Sequence, residues 1–225
     1  MKPYPKLIED LLRGEVDAST ATSSRPGLGR ELCLLIIGLG AFYGACMGLF
    51  GYLRGTAYEL QHILSVMVKV PILFLATLVV TAPSMYVFAA LARSQLRFRQ
   101  TLLLLLSTTA VCTIVLGSFG PVTAFFTCST KSYPFIQLLN VFFFGVAGII
   151  GLVFLLRQVQ AAVSGEKKQA GTAVVRVWIV IYAAVGAQMG WLLRPFIGFP
   201  GREQQFLRET SGNILTGILD ALKGL

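Results

Sequence analysis

Five stretches of this chain run for 17 residues or more without a charged side chain, and they restrict the possible folds more than any other feature. A helix of about 20 apolar residues crosses a hydrocarbon core about 30 Å thick. Since 55% of all residues are hydrophobic and only 13% are charged, the sequence predicts an all-α, polytopic membrane helix bundle. The predicted spans are Glu31 to Leu53, Val70 to Ala92, Thr101 to Thr123, Pro134 to Leu156 and Val177 to Leu193.

Segments outside these spans divide the chain into three parts. Residues 1–30 are predicted to form a short amphipathic helix, with Leu7, Ile8, Leu11 and Leu12 on its apolar face, and then a flexible tether from Asp17 to Gly29. Residues 31–196 form the five-span domain. The turn sequence PFIGFPG (195–201) ends the fifth span, and residues 197–225 are predicted to form a second amphipathic segment on the outer side. Each terminal helix could lie on the membrane surface or dock on a partner.

The distribution of Lys and Arg predicts the orientation, because basic loops stay on the cytoplasmic side. With the N-terminus inside, the internal cytoplasmic loops hold seven basic residues and the internal outer loops hold three. The C-terminus is then outside, and Arg93, Arg97 and Arg99 lie where anionic lipid headgroups can bind them. The three basic residues of the internal outer loops are Arg54, Lys69 and Lys131. The remaining four of the internal cytoplasmic loops are Arg157, Lys167, Lys168 and Arg176.

Catalytic and metal-binding patterns are missing from the sequence. No charged residue lies inside a predicted span, and Lys69 is placed at a span end, which argues against ion-coupled transport. The only histidine, His62, is assigned to an outer loop, and the four cysteines form no metal motif. We expect no enzymatic activity and no nucleic-acid partner, and the sequence specifies no cofactor.

Small residues predict close helix packing. Gly40, Gly44 and Gly48 form two overlapping GxxxG steps in the first span, and Gly186 and Gly190 repeat the pattern in the fifth. Glycine lets helix backbones approach closely in lipid. These faces could pack within the chain or against another subunit.

Three further residues place a kink or a polar group inside the spans. Pro83 is expected to kink the second span, with Thr81 and Ser84 available to bond the freed carbonyl. Asn140 and Gln188 each bring an uncharged amide into a span. Such amides bond to a neighbouring helix or line a ligand cavity.

The segments KVPILFLATLVVTAPSMY (69–86) and LGSFGPVTAFF (116–126), together with five closely spaced spans, resemble the Yip family of Ypt/Rab-interacting membrane proteins and their prokaryotic relatives. The resemblance covers Glu31 to Phe196 and implies a five-span bundle. The tyrosine–glycine–proline motif of the eukaryotic members is absent from residues 1–30. The resemblance therefore implies a prokaryotic inner-membrane protein with a scaffolding or accessory role.

Two functional hypotheses follow. The first is a non-enzymatic subunit or scaffold of a membrane complex, whose partners are lipids and other membrane subunits or further copies of itself. The second is a channel or carrier for a small neutral or apolar substrate, formed around Pro83, Asn140 and Gln188.

Overall fold

The computed structural model of the chain describes residues 4–14, 27–53, 59–91, 98–162 and 179–190. Over these residues the chain is almost entirely α-helical and forms no strand. The helices are α1 (Tyr4–Leu12), α2 (Leu28–Leu53), α3 (Glu59–Leu91), α4 (Phe98–Ser129), α5 (Tyr133–Ala162) and α6 (Ile179–Gly190).

Four of these helices, α2 to α5, are long and apolar enough to cross a membrane. The chain is therefore an integral membrane protein with a polytopic helical fold. The fifth predicted span, Val177 to Leu193, is described only over α6, which is shorter than a crossing requires. The crossing count of five stays a prediction.

Helix α2 starts close to the predicted boundary. It begins at Leu28, three residues before Glu31, and the carbonyl of Gly27 accepts hydrogen bonds from the backbone N–H groups of Arg30 and Glu31. Gly27 has a φ of 104°, a conformation that residues with a side chain rarely adopt. The predicted tether therefore ends here, and residues 17–26 of it lie outside the described residues.

Helix α3 departs most from the prediction. It begins at Glu59 instead of Val70 and continues through Pro71. The charge on Lys69 places the predicted start of the span after it, at Val70, yet the apolar residues before Lys69 keep helical spacing. The ring of Pro71 packs over Gly40 of α2, where an added Cβ would lie 3.2 Å from the proline Cγ.

Helix α4 continues to Ser129, so the loop predicted after Thr123 is wrong. Only residues 130–132 connect it to α5. The Ser132 hydroxyl accepts a hydrogen bond from the N–H of Phe135, and the Ser132 carbonyl accepts one from Ile136, which starts α5. The short connection fixes α4 and α5 as antiparallel neighbours.

The core of the bundle is built around α4. The most apolar part of α4 is 72% buried, whereas that of α5 is 28% buried. Leu39 of α2 packs over Gly117, and Phe119 stacks on Phe143 of α5 with ring centroids 4.4 Å apart. Helix α4 therefore lies between α2 and α5, and α5 has the larger outward face.

Helix α1 packs on the end of the bundle where α4 begins and α5 ends. Leu7 and Leu11 are buried in the common core, and the side-chain amide of Gln158 donates to the carbonyl of Gly14 at 3.1 Å. Glu9 and Arg13 form an exposed ion pair on the opposite face. The chain itself therefore covers the predicted apolar face of α1 except at Leu12, which is 54% exposed.

Candidate functional site

A buried hydrogen bond joins α2 to α5. The hydroxyl of Tyr43 donates to Oδ1 of Asn140 at 2.7 Å, and the Asn140 amide donates to the carbonyl of Ile136 at 2.8 Å. Tyr43 is 0% exposed and Asn140 is 2% exposed. Phe144 meets the Tyr43 ring edge-on. Asn140 therefore bonds a neighbouring helix, which is one of the two roles that the sequence allowed for it.

Two threonines of α4, one helical turn apart on the same side of that helix, are buried on the side that faces Tyr43. The Thr123 hydroxyl lies beside the hydroxyl of Tyr43, although it falls short of hydrogen-bond geometry. Thr127, one turn further along α4, is fully buried as well. Neither hydroxyl makes a hydrogen bond to any described residue. We call Tyr43, Thr123, Thr127 and Asn140 the Tyr43 cluster.

Most other buried threonines behave differently. Thr108 and Thr109 of the same helix donate to the carbonyls of Leu104 and Leu105, four residues back, at 2.9 Å. This local bond is the usual way for a helical threonine to satisfy its hydroxyl in an apolar environment. Thr123 and Thr127 do not use it. Their hydroxyls are therefore available to a neighbour of α4.

Lys69 and His62 are buried side chains of α3. The predicted positions, a span end for Lys69 and an outer loop for His62, are therefore wrong. Lys69 lies inside the span Leu60–Phe88 and is 1% exposed, and His62 is 3% exposed. An added Cβ on Gly44 would meet the backbone of Val66, which sets the register of α2 against α3. This antiparallel register places Lys69 near the height of Tyr43. Because a charged residue lies inside a span, the spans no longer argue against ion-coupled transport.

The GxxxG face of α2 packs inside the chain. Cβ atoms added at Gly44 and Gly48 would lie 2.7 Å from the Val66 carbonyl oxygen and 3.2 Å from the Ile63 Cα, both in α3. The contact of α6 is looser, since Cβ atoms added at Gly186 and Gly190 would lie 3.7 Å from Thr77 Cγ2 and 3.5 Å from Leu73 Cδ1 of α3. Both predicted glycine faces thus contact α3.

Two glycines of α5 have no such cover. Cβ atoms added at Gly145 or Gly148 would meet nothing within 4 Å, whereas one at Gly151 would meet the Cys112 sulfur. Phe142 and Ile149, close to the two open glycines, are 62% and 64% exposed. We call Val141, Gly145, Gly148 and Leu152, which follow helical spacing, the open α5 face.

Pro83, Asn140 and Gln188 do not share an interior cavity. Pro83 and Gln188 are exposed, whereas Asn140 is buried. The Thr81 hydroxyl donates to the carbonyls of Thr77 and Leu78, and that of Ser84 donates to the carbonyl of Thr81. Pro83 has no N–H, so the carbonyl of Val79 loses its helical hydrogen bond. The hydrogen bonds of Thr81 and Ser84 named here go to other carbonyls.

The arginine group is described only in part. Arg99 is exposed in the first turn of α4, and Arg93 and Arg97 lie outside the described residues. The turn predicted from Pro195 to Gly201 and the amphipathic segment predicted over residues 197–225 also lie outside them. Over the described part of the chain, no three metal-ligating side chains come together, and all four cysteines are free thiols.

Tyr43, Thr123, Thr127 and Lys69 were not selected from the sequence. Hydroxyl residues are frequent in α4, and only the structure distinguishes those bonded to their own helix from those that are not. For Lys69 a signal existed. Leu60, Ile63, Val66 and Val70 continue the helical spacing across the charge.

Comparison of the chain with models of known protein families, with curated proteins and with solved structures gives no match. The resemblance to the Yip family therefore stays a prediction. The fold itself defines the class, an integral membrane protein built as an α-helical bundle.

Proposed function

We propose that this chain is a non-enzymatic subunit or scaffold of a membrane complex that packs against a helix of another subunit through the open α5 face. The observation that carries the proposal is the contrast between the glycines of α2 and those of α5. Gly40, Gly44 and Gly48 are covered by α3, and Gly145 and Gly148 are open. Lipid covers any apolar face, but closely spaced glycines specifically permit the approach of a second helix.

Over the described residues, the surfaces that the sequence offered for a partner already pack within the chain. The α1 apolar face is covered by the bundle except at Leu12, and the glycine faces of α2 and α6 contact α3. Gly38 of α2 is also open, but it stands alone. Helix α5 combines two open glycines with the lowest burial of the four long helices.

The proposed topology keeps five crossings, with α6 as the start of the fifth and amphipathic segments at both ends. The N-terminus is cytoplasmic, in an inner membrane of prokaryotic type. Since Lys69 lies in α3 and not in a loop, only Arg54 and Lys131 remain basic in the internal outer loops, against seven residues on the cytoplasmic side. This correction strengthens the charge argument for the orientation. Arg99, exposed at the start of α4, is then near anionic headgroups.

The proposal is tested by native mass spectrometry of the protein extracted from its own membrane in a mild detergent. We expect a complex with another subunit or a second copy, and the mass distinguishes the two. The double variant Gly145→Leu/Gly148→Leu should lose it, because the bulky side chains separate the helices. The matched control Ile150→Leu changes an exposed residue on a different side of α5 and should keep it. A lone monomer from the unaltered chain would contradict the proposal.

A second candidate function is a channel or carrier for a small neutral substrate. The buried polar side chains of the Tyr43 cluster, with Lys69 at similar height, favour it. Asn140 belongs to that cluster, whereas Gln188 is exposed. In proteoliposomes, flux of a small solute such as glycerol should disappear in Asn140→Leu and persist in Gln188→Leu. Liposomes that show no flux with the unaltered chain would exclude it.

A further inference from the structure

The Tyr43 cluster contains unused hydrogen-bonding capacity in the interior of the bundle. Tyr43 donates its only hydroxyl proton to Asn140, so the tyrosine oxygen can only accept a further bond. The Thr123 and Thr127 hydroxyls, both 0% exposed, have no partner among the described residues. Donors and acceptors are therefore both available within one turn of α4, on the side where Thr123 lies beside Tyr43.

Leaving these groups unsatisfied is costly in a membrane protein. A buried hydroxyl without a hydrogen bond loses about 1–3 kcal/mol relative to a satisfied one. Thr123 and Thr127 could each satisfy the hydroxyl with a carbonyl of their own helix, as Thr108 and Thr109 do. Since both forgo that bond, their orientation points to a ligand between the helices.

We propose that the Tyr43 cluster is a binding site for one or two internal water molecules. A water molecule can donate to the Tyr43 oxygen and to the second lone pair of Asn140 Oδ1 while it accepts from the threonine hydroxyls. Buried water usually makes about three such bonds. A neutral ligand fits the four neutral side chains, which offer both donors and acceptors, because it brings no unbalanced charge into the interior. The site is independent of the partner surface on α5 and goes beyond the proposed function.

The first test is hydroxyl-radical footprinting of the full chain in lipid nanodiscs, with radicals produced by X-ray pulses from water at the site. Tyr43 is inaccessible to bulk solvent, so its oxidation reports a water molecule beside it. Met85 of α3 is an equally buried and oxidisable control. We expect Tyr43 to be oxidised and Met85 to stay unmodified. Equal protection of the two side chains would overturn the proposal.

The second test uses the near-isosteric variants Thr123→Val and Thr127→Val. If water satisfies the hydroxyls, each variant lowers the midpoint of unfolding and abolishes the oxidation of Tyr43. If the hydroxyls have no ligand, removing them raises the midpoint and leaves the oxidation pattern unchanged, which would overturn the proposal. The midpoint should be the same in Li⁺, Na⁺ and K⁺ salts. A dependence on the cation would assign the site to a metal ion and would also overturn it.

Discussion

Tyr43 of α2 donates a 2.7 Å hydrogen bond to Asn140 of α5, two residues that are 97 positions apart in the chain. The bond fixes how α5 is rotated about its own axis. Successive residues of a helix are about 100° apart, so Gly145, five positions after Asn140, points about 140° away from α2. The buried polar contact and the open α5 face are therefore two consequences of one helix rotation.

A double-mutant cycle on this pair tests the contact itself. Tyr43→Phe removes the donor and Asn140→Leu removes the acceptor. We expect each change to destabilise the bundle, with a coupling energy of about 0.6 to 1.7 kcal/mol, the range found for hydrogen bonds between membrane helices. Unfolding in mixed micelles with increasing denaturing detergent measures it. Strictly additive effects would show that the two side chains do not interact.

The effect of replacing a glycine of α2 on the free energy of unfolding should depend strongly on its position. The Cβ of Gly44→Ala would lie 2.7 Å from the Val66 carbonyl oxygen, which is backbone and cannot move aside easily. We expect a loss of about 1–3 kcal/mol for overpacking at this position. Gly38→Ala meets nothing within 4 Å and should be neutral or stabilising by up to about 1 kcal/mol. Similar unfolding free energies for the two variants would contradict the register of α2 against α3.

The burial of Lys69 predicts its chemical reactivity. An amine-acylating reagent that does not cross membranes can modify only an exposed ammonium group. We expect Lys131, exposed in the turn between α4 and α5, to be modified, and Lys69, 1% exposed in α3, to be protected until the protein is denatured. Peptide mass mapping after labelling in open membrane fragments, where both faces are accessible, provides the measurement. Equal labelling of the two lysines in the folded protein would place Lys69 outside the core.

The docking of α1 can be tested by limited proteolysis. Leu11 is 0% exposed and Leu12 is 54% exposed, so the two neighbours form a matched pair. Leu11→Ala should weaken the docking by about 2–5 kcal/mol, whereas Leu12→Ala should change it by less than about 0.5 kcal/mol. Trypsin cleavage at Arg13 of the solubilised protein should become about tenfold faster or more in the first variant only. Unchanged cleavage in both would contradict the packing of α1 on the bundle.

The sequence predicts the apolar core of each long helix and the bounds of α2 closely, but it misplaces the start of α3 and the end of α4. The charge on Lys69 was read as a boundary, although a lysine can be buried inside a helix bundle when its neighbours surround it. The glycines of α2 and α5 look alike in sequence. Which of them are covered depends on helix rotation, which periodicity does not fix when nearly every side of a helix is apolar.

The site was predictable only in part for a similar reason. Asn140 stands out in an apolar span as a polar residue that needs a partner. Tyr43 and Thr123, which approach it from α2 and α4, are common residue types in membrane helices. Their convergence arises from tertiary packing across 97 residues of sequence.

Site-specific photo-crosslinking in the native membrane tests the proposed subunit contact most directly. A photoreactive amino acid replaces Gly145 on the open α5 face, and in a second variant it replaces Ile150, which is 41% exposed on a different side of α5. We predict a protein adduct of one defined mass from position 145, lost on adding Gly148→Leu, and lipid adducts from position 150. Lipid adducts alone from position 145 would contradict the account.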